Sequence, residues 1–430
     1  CQCRNHPSVF LWGARINGSV DDNTFAVSKN NAAVSNHLEY SDWNYYEPDK
    51  VTQLSRADWE GTWPKEYKDM TAPASMLADL NGKYYEVKKD DDTSKIVFGA
   101  NNGLKFYDLA FRDFDDPDWQ KLIDQMTIDE CLGLLCYGGN EFRDIPSIGF
   151  IRGSFTENSG NGMQSEMCDA RVDAPWAVSK KDNNGHFYLE LYATAPTVAS
   201  SFDPSLQFRM GEEVGLQALI VGLPIRWGPC LNTHRTAYNG RNGDYYSEGP
   251  ILTGNTGMEF AIGAFKYGLL ASPKHFAFND QETNRGGVAP FMTEQRAREV
   301  ELRAFQIPME ANKYDAKAPE YWNGEENHDF GMRGMMTSFS KIGGVECTAS
   351  EGLITDIAKN EWGFKGYAVT DIGDDVDLFA AVANSGVTGY DLRGRFSESG
   401  HDTQTNDGQP ISAEMFAGDA NILTKIKEAA

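Results

Sequence analysis

The sequence predicts an α/β fold: a (β/α)8 barrel of the triosephosphate-isomerase type with irregular units, preceded by an extended N-terminal linker. Three observations predict it. From about residue 149 onward a short apolar run, a polar cluster and a helical stretch recur in turn, which is the signature of parallel strands joined by crossover helices. Several of the apolar runs end in dense groups of Lys, His, Asn, Asp and Arg, as strands do when their loops converge on one barrel mouth. About seven such units over roughly 300 residues suit a closed barrel better than an open sheet. Closure is invisible in sequence, so a doubly wound sheet is the alternative.

The elements follow in order. Residues 1–65 are rich in Asn, Ser and Asp with little periodicity and read as an extended linker with a few edge strands; "DWEGTWPKEY" closes it with aromatics that dock on the main body. Residues 66–112 read as a connecting segment packed on the barrel, with "KKDDDTSK" as a solvated turn. The barrel is placed at 113–430. In "DDPDWQKLIDQMTIDECLGLLCYGG", Asp116 or Asp118 caps a short helix with Pro117 near its first turn. Thr127 and Glu130 then form a capping box for a second helix ending at Gly138 and Gly139. The strand candidates are "GFI" (149–151), "PTVAS" (196–200), "LPIRW" (223–227), "GLLAS" (268–272), "GMMTSF" (334–339), "GYAVT" (366–370) and "GYDL" (389–392). Helices are expected in "PSLQFRMGEEVGLQALIVG", "TEQRAREVELRAFQIPMEANK" and "SEGLITDIAKNEWG".

Composition bounds the chemistry. The chain has 430 residues, 40% hydrophobic and 12% aromatic, enough for a sizeable core. Lys plus Arg number 39 against 63 for Asp plus Glu, a formal charge of -24. That field repels nucleic acid and anionic membranes and leaves neutral substrates untouched. No run has the length of a membrane span, and no basic-then-apolar leader opens the chain. The start "CQCRNHPSVF" lacks Met and the last residues stop inside an amphipathic pattern. Both ends therefore read as cut, which leaves the compartment open between cytoplasmic, cell-associated and secreted. Seven cysteines at these spacings resemble no zinc site and read as buried free thiols. No phosphate cradle or dinucleotide fingerprint is present, and no cofactor or metal is expected.

Four strand ends carry the chemistry. "SPKHFAFNDQETNR" (272–285) packs a lysine, a histidine and several acids and amides behind "YGLLA". "IRWGPCLNTHRTAYNGRNGDYYSEGP" puts Arg235 and Arg241 beyond its strand, "MMTSFSKIGG" ends in hydroxyls and glycines, and "GYAVTDIGDD" places Asp371 directly after "YAVT". Taken together, these segments resemble glycoside hydrolase family 3 of the β-glucosidase type. "KHFAFNDQETNR" matches the family's K-H-F-x-x-N-x-Q-E-x-x-R. "GPCLNTHRTAYNGRNGDYYSEGP" is similar to its G-P-x-x-N-x-x-R-x-P-x-x-G-R-N-x-E-x-x-S-E-D-P, and "LITDIAKNEWGFKGYAVTD" matches the segment ending at the nucleophile. The likeness covers about residues 50–430. "TQLSRADWEGTWP" resembles members of inverted domain order, in which an α/β sandwich domain precedes the barrel.

The resemblance implies a retaining β-glucosidase-like enzyme acting on a β-glucoside or oligosaccharide. Asp371 takes the nucleophile position; without the motif, a strand-end Asp reads as a helix N-cap. Lys274, His275 and Arg241 match residues that hydrogen-bond sugar hydroxyls, with Arg235 behind them. Met336 and Phe339 fall where the family lines the pocket, although periodicity alone makes them core. Asn279 and Glu282 order the loop, and Asp374, Asp375 and Asp377 read as acids in a first helical turn. Asn158, in "NSGNGM", stands where the family has a sugar-binding Asp, which forfeits a charge-assisted bond of about 1.5–3 kcal/mol. Gly249 replaces the Asp of S-E-D-P, and either departure weakens or alters sugar binding. The acid/base Glu of such two-domain members lies on the sandwich domain, so that domain is an expected partner and no residue here takes the role. The alternative is a catalytically impaired carbohydrate-binding or structural scaffold. A single-domain β-N-acetylglucosaminidase carries K-H-F-P-G-H-G, which "KHFAFNDQ" is not.

Overall fold

A computed structural model describes residues 36–48, 71–81, 96–109, 112, 115–137, 144–151, 155–157, 192–311 and 332–371. Asn158, the 372–377 acids, "GYDL" and most of the 1–65 segment lie outside them. Parallel strands β1 (Phe155–Glu157), β2 (Ile225–Cys230) and β3 (Leu270–Lys274) pair side by side. β4 (Gly334–Met336) pairs in parallel with β7 (Tyr367–Val369). A parallel bridge from Phe276 to Thr337 joins the two sheets just past the end of β3. The result is an arc of parallel strands in chain order. A small antiparallel hairpin, β5 (Lys341–Ile342) with β6 (Val345–Glu346), sits in the connection after β4.

Period-two alternation sorts the strands into two faces. Ile225, Trp227, Met336 and Val369 form one buried cluster, with Leu270 and Tyr367 against it. The alternating residues Ala271, Met335 and Ala368 join a larger cluster with Phe276, Phe305, Ile354 and Trp362 under the helices. Gly334 lies between the strands where a Cβ would sit 2.2 Å from Ser272 Oγ and 2.6 Å from the Tyr367 ring. The Ser272–Tyr367 hydroxyl hydrogen bond occupies that space.

The helices form where capping chemistry starts and stops them. α1 (Asp118–Ile123) begins where Asp116 accepts the Asp118 amide at 2.9 Å. α2 (Ile128–Tyr137) opens on the expected capping box: the Thr127 amide donates to Glu130 at 2.8 Å and the Glu130 amide to Thr127 Oγ1 at 3.2 Å. α4 (Pro204–Val221) runs from Asp203, which caps Ser205, to a left-handed Gly222.

Three readings are corrected. "PTVAS" is not a strand but lies in α3 (Ala195–Ala199) and the residue after it, where Thr194 at the N-cap and Pro196 in the first turn outweigh β-branched Thr197 and Val198. "GFI" is no sheet strand; Phe150 makes an isolated antiparallel bridge to Ile145. Where described, the N-terminal segment has helical turns at Glu39–Ser41 and Trp43–Tyr46 rather than edge strands. Within it Leu38 is fully buried and its amide donates to Glu294 at 2.9 Å.

α5 (Pro250–Phe265) was not foreseen, and it is the helix that brings the layers closest. A Cβ on Gly263 would meet the Phe208 carbonyl oxygen at 2.1 Å, and one on Gly211 the Phe260 oxygen at 2.3 Å. α4 and α5 thus touch backbone to backbone. "TEQRAREVELRAFQIPMEANK" forms Glu294–Arg296, a wide π-type turn over Ala297–Glu301 and α6 (Arg303–Met309). "SEGLITDIAKNEWG" is π-type over Gly352–Glu361. Gly263→Ala should destabilise the protein by about 1–3 kcal/mol in urea denaturation, because overpacking against backbone outweighs the helix-propensity gain of about 1 kcal/mol. Gly286→Ala, where nothing lies within 4 Å, should change stability by less than about 0.5 kcal/mol. Equal effects would mean that the helices are not in contact.

Candidate active site

All the described chemistry-bearing ends lie at the C-terminal side of the parallel strands. Lys274 is the last residue of β3, paired with Cys230 at the end of β2, and is buried. His275 follows it, and its main chain is gripped by one side chain: Asn232 Oδ1 accepts its amide at 2.8 Å and Asn232 Nδ2 donates to its carbonyl at 3.0 Å. The loop beyond is pinned by Tyr245, whose hydroxyl donates to the Asn279 carbonyl at 2.9 Å. It is pinned again where the Phe276 amide donates to the Met336 carbonyl at 2.8 Å.

The His275 ring is where the strand ends meet. Its Nε2 lies 3.5 Å from Oδ2 of Asp371, two residues past β7, and 3.3 Å from Nη1 of Arg241 in the β2 loop. One ring nitrogen serves one of these at a time, as donor to the carboxylate or acceptor from the guanidinium. Arg241 is oriented by Asp244 Oδ2 at 3.0 Å, with Glu282 Oε1 at 3.9 Å. Burial pushes the Asp244 carboxyl up, against the pull of Arg241. Burial, with Arg241, Lys274 and Arg285 nearby, holds His275 well below the usual imidazole range, so the ring is neutral at neutral pH. Cations and a neutral donor–acceptor around one carboxylate suit an uncharged ligand with many hydroxyls.

The structure therefore brings Lys274, His275, Arg241 and Asp371 together. Met336 packs between Ile225, Trp227 and Val369 in the strand core. Phe339 is half-buried beneath the Arg285 guanidinium, 4.4 Å from the ring centroid. Gly249 is the residue before α5, where the Ser247 hydroxyl accepts its amide at 3.1 Å. What it changes locally is a helix cap. Sequence reasoning passed over Asn232 as a site-building residue, though it sits in the quoted "GPCLNTHR".

The sequence profile described as the glycosyl hydrolase family 3 N-terminal domain matches residues 155–319. Over that span the chain is similar to glycoside hydrolase family 3. That span carries β1 to β3 and the Arg241, Lys274 and His275 positions. A β-glucosidase of Ruminococcus albus is 30% identical over 239 residues, covering 53% of this chain and 23% of the relative. An exo-α-(1→6)-L-arabinopyranosidase of Bifidobacterium longum is 30% identical over 196 residues, 46% of this chain and 23% of its own length. The solved β-glucosidase 3B of Thermotoga neapolitana in complex with α-D-glucose aligns with a TM-score of 0.56 at 20% identity, over 72% of this chain and 41% of that one. The fold shared with such structures is an α/β fold of the TIM-barrel type. This chain spans less than a quarter of the length of these two relatives.

His275 carries a stability signature. Below about pH 6.5 the unfolded chain protonates this imidazole while the native state resists, so native stability is lost as pH falls, by at most about 1.4 kcal/mol per pH unit. His275→Gln should flatten that part of the pH dependence in urea denaturation. An unchanged slope would show that the ring is not held neutral.

Proposed function

We propose that this chain is the barrel part of a retaining β-glucosidase-like glycoside hydrolase, with Asp371 as nucleophile. The observation that carries the reading is the meeting of Asp371 and Arg241 at one His275 nitrogen, from different strand ends. Asp371 attacks the anomeric carbon, a carboxylate–sugar ester forms, and the bond to the leaving oxygen breaks. A Glu on an α/β sandwich domain protonates that oxygen; it then deprotonates the water that displaces Asp371 with net retention. Lys274, His275, Arg241 and Asn158 hold the hydroxyls, and Phe339 borders the pocket with Met336 beneath it. The parallel arc is part of a (β/α)8 barrel, and the N-terminal segment serves as its linker. The relatives above are named for two different sugars, so glucose is the first ligand to try rather than a settled one. Asn158 in place of an acid favours the second reading, a carbohydrate-binding scaffold that does not turn over.

An activated 2-deoxy-2-fluoro glucoside should trap an ester on Asp371 of the complete protein, seen by peptide mass spectrometry, because such a leaving group departs with little protonation. Asp371→Asn should abolish labelling, and Asn158→Asp should tighten glucose binding by about tenfold or more if a charge-assisted bond returns. Glucose binding without labelling would support the scaffold; labelling at another carboxylate would overturn the assignment.

A further inference from the structure

The outer face of α4 carries a pattern that its packing inside the protein does not need. Its inner face meets α5 backbone to backbone, and Val214 and Ala218 join a buried cluster with Phe260 and Ala264. On the opposite face Leu206, Arg209, Glu213, Leu216 and Ile220 follow one another at steps of three, four, three and four residues. Phe202, four residues before Leu206, extends the stripe past the Asp203 cap. Alternating steps of three and four are those of a coiled-coil seam, in which one stripe of a helix faces a second helix. All six residues are exposed, the four apolar ones by 36% or more. Single exposed apolar side chains are ordinary, but four on one stripe mark an interaction surface. Phe202 is also held at a φ of 53°, a left-handed conformation unfavourable for an aromatic residue, while 75% of it stays exposed.

The stripe is complementary to a reversed copy of itself. About a two-fold axis level with position 211, residue 202 meets 220, 206 meets 216 and 209 meets 213. Every apolar residue then meets an apolar one, and each Arg209 meets the Glu213 of the other copy. A parallel pairing would set Arg209 on Arg209 and Glu213 on Glu213, which like charges oppose. Within one helix Arg209 and Glu213 stand four apart, yet no salt bridge joins them among the described residues. We propose that α4 is the interface of a two-fold homodimer, packed antiparallel against α4 of a second copy with two Arg209–Glu213 pairs at its centre.

Charge and size set how tight the contact is. The formal charge of -24 opposes association of two copies, but salt screens it beyond about 8 Å at physiological ionic strength, and the facing Arg and Glu cancel at the seam itself. An 18-residue helix is about 27 Å long. One helix face of that length is a contact at the low end of specific interfaces, so the dimer forms with concentration, its Kd about micromolar. The proposal is independent of the sugar chemistry.

The test is sedimentation velocity of the complete protein over about 1–100 μM, as wild type, Arg209→Glu and Glu213→Arg. Wild type should pass from monomer to dimer across that range. Each single variant turns both central pairs into like charges and should weaken the dimer about tenfold or more. Both positions are exposed, so urea midpoints should stay at the wild-type value and separate loss of association from loss of folding. Mixed in equal amounts, the two variants present Glu–Arg pairs at both places and should form a dimer with each other that neither forms alone. A wild-type protein that stays monomeric, because another segment of the full chain or nothing covers α4, overturns the proposal. A dimer that both variants leave intact places the interface elsewhere and overturns it too. Loss of the dimer in each variant without recovery in the mixture overturns the antiparallel register.

Discussion

The site depends on one buried imidazole that is held from behind and addressed from two sides. Asn232 fixes the His275 main chain at both its amide and its carbonyl, and burial among cations keeps the ring uncharged. Move that ring and Asp371 and Arg241 lose the atom at which they meet. An imidazolium there would add positive charge to a space already holding Arg241 and Lys274, and the long-range negative charge of the chain does little at such short distance. Neutrality of His275 is therefore a condition of the arrangement.

The rest of the fold serves that placement. Parallel strands in chain order present their C-terminal ends to one side, so residues far apart in sequence, such as 241, 275 and 371, arrive together without local design. The strand ends are held at fixed separation by the Trp227, Met336 and Val369 layer beneath them. Outside, glycine contacts between α4 and α5 hold the helices against each other. Gly334 leaves the space that the Ser272–Tyr367 hydrogen bond fills.

Much of this was legible from residues. β2, β3, β4 and β7 announce themselves as apolar, β-rich runs closed by polar clusters, and the Thr127–Glu130 box marks a helix start that the structure has. Ala195–Ala199 misled because Thr197 and Val198 favour strands, while the deciding Thr194 and Pro196 act through capping. Pro250–Phe265 holds Gly254, Gly257 and Gly263 in its interior, where they are packing contacts whose partners lie in other elements and leave no mark on the local pattern. Arg235 carried a signal through the family motif, but its partners Asp280 and Glu301, 45 and 66 residues away, did not. Asn232 carried its signal only through the family motif, because a clamp on another strand's backbone leaves no periodicity.

The central claim is that Asp371, His275, Arg241 and Lys274 surround one hexose. A crystal structure of the complete protein soaked with glucose tests it most directly. The account predicts a ring whose hydroxyls hydrogen-bond Lys274 Nζ, the His275 ring and the Arg241 guanidinium, with its anomeric carbon about 3–3.5 Å from an Asp371 carboxylate oxygen. Glucose bound elsewhere, or bound here with Asp371 turned away from the anomeric carbon, would contradict it.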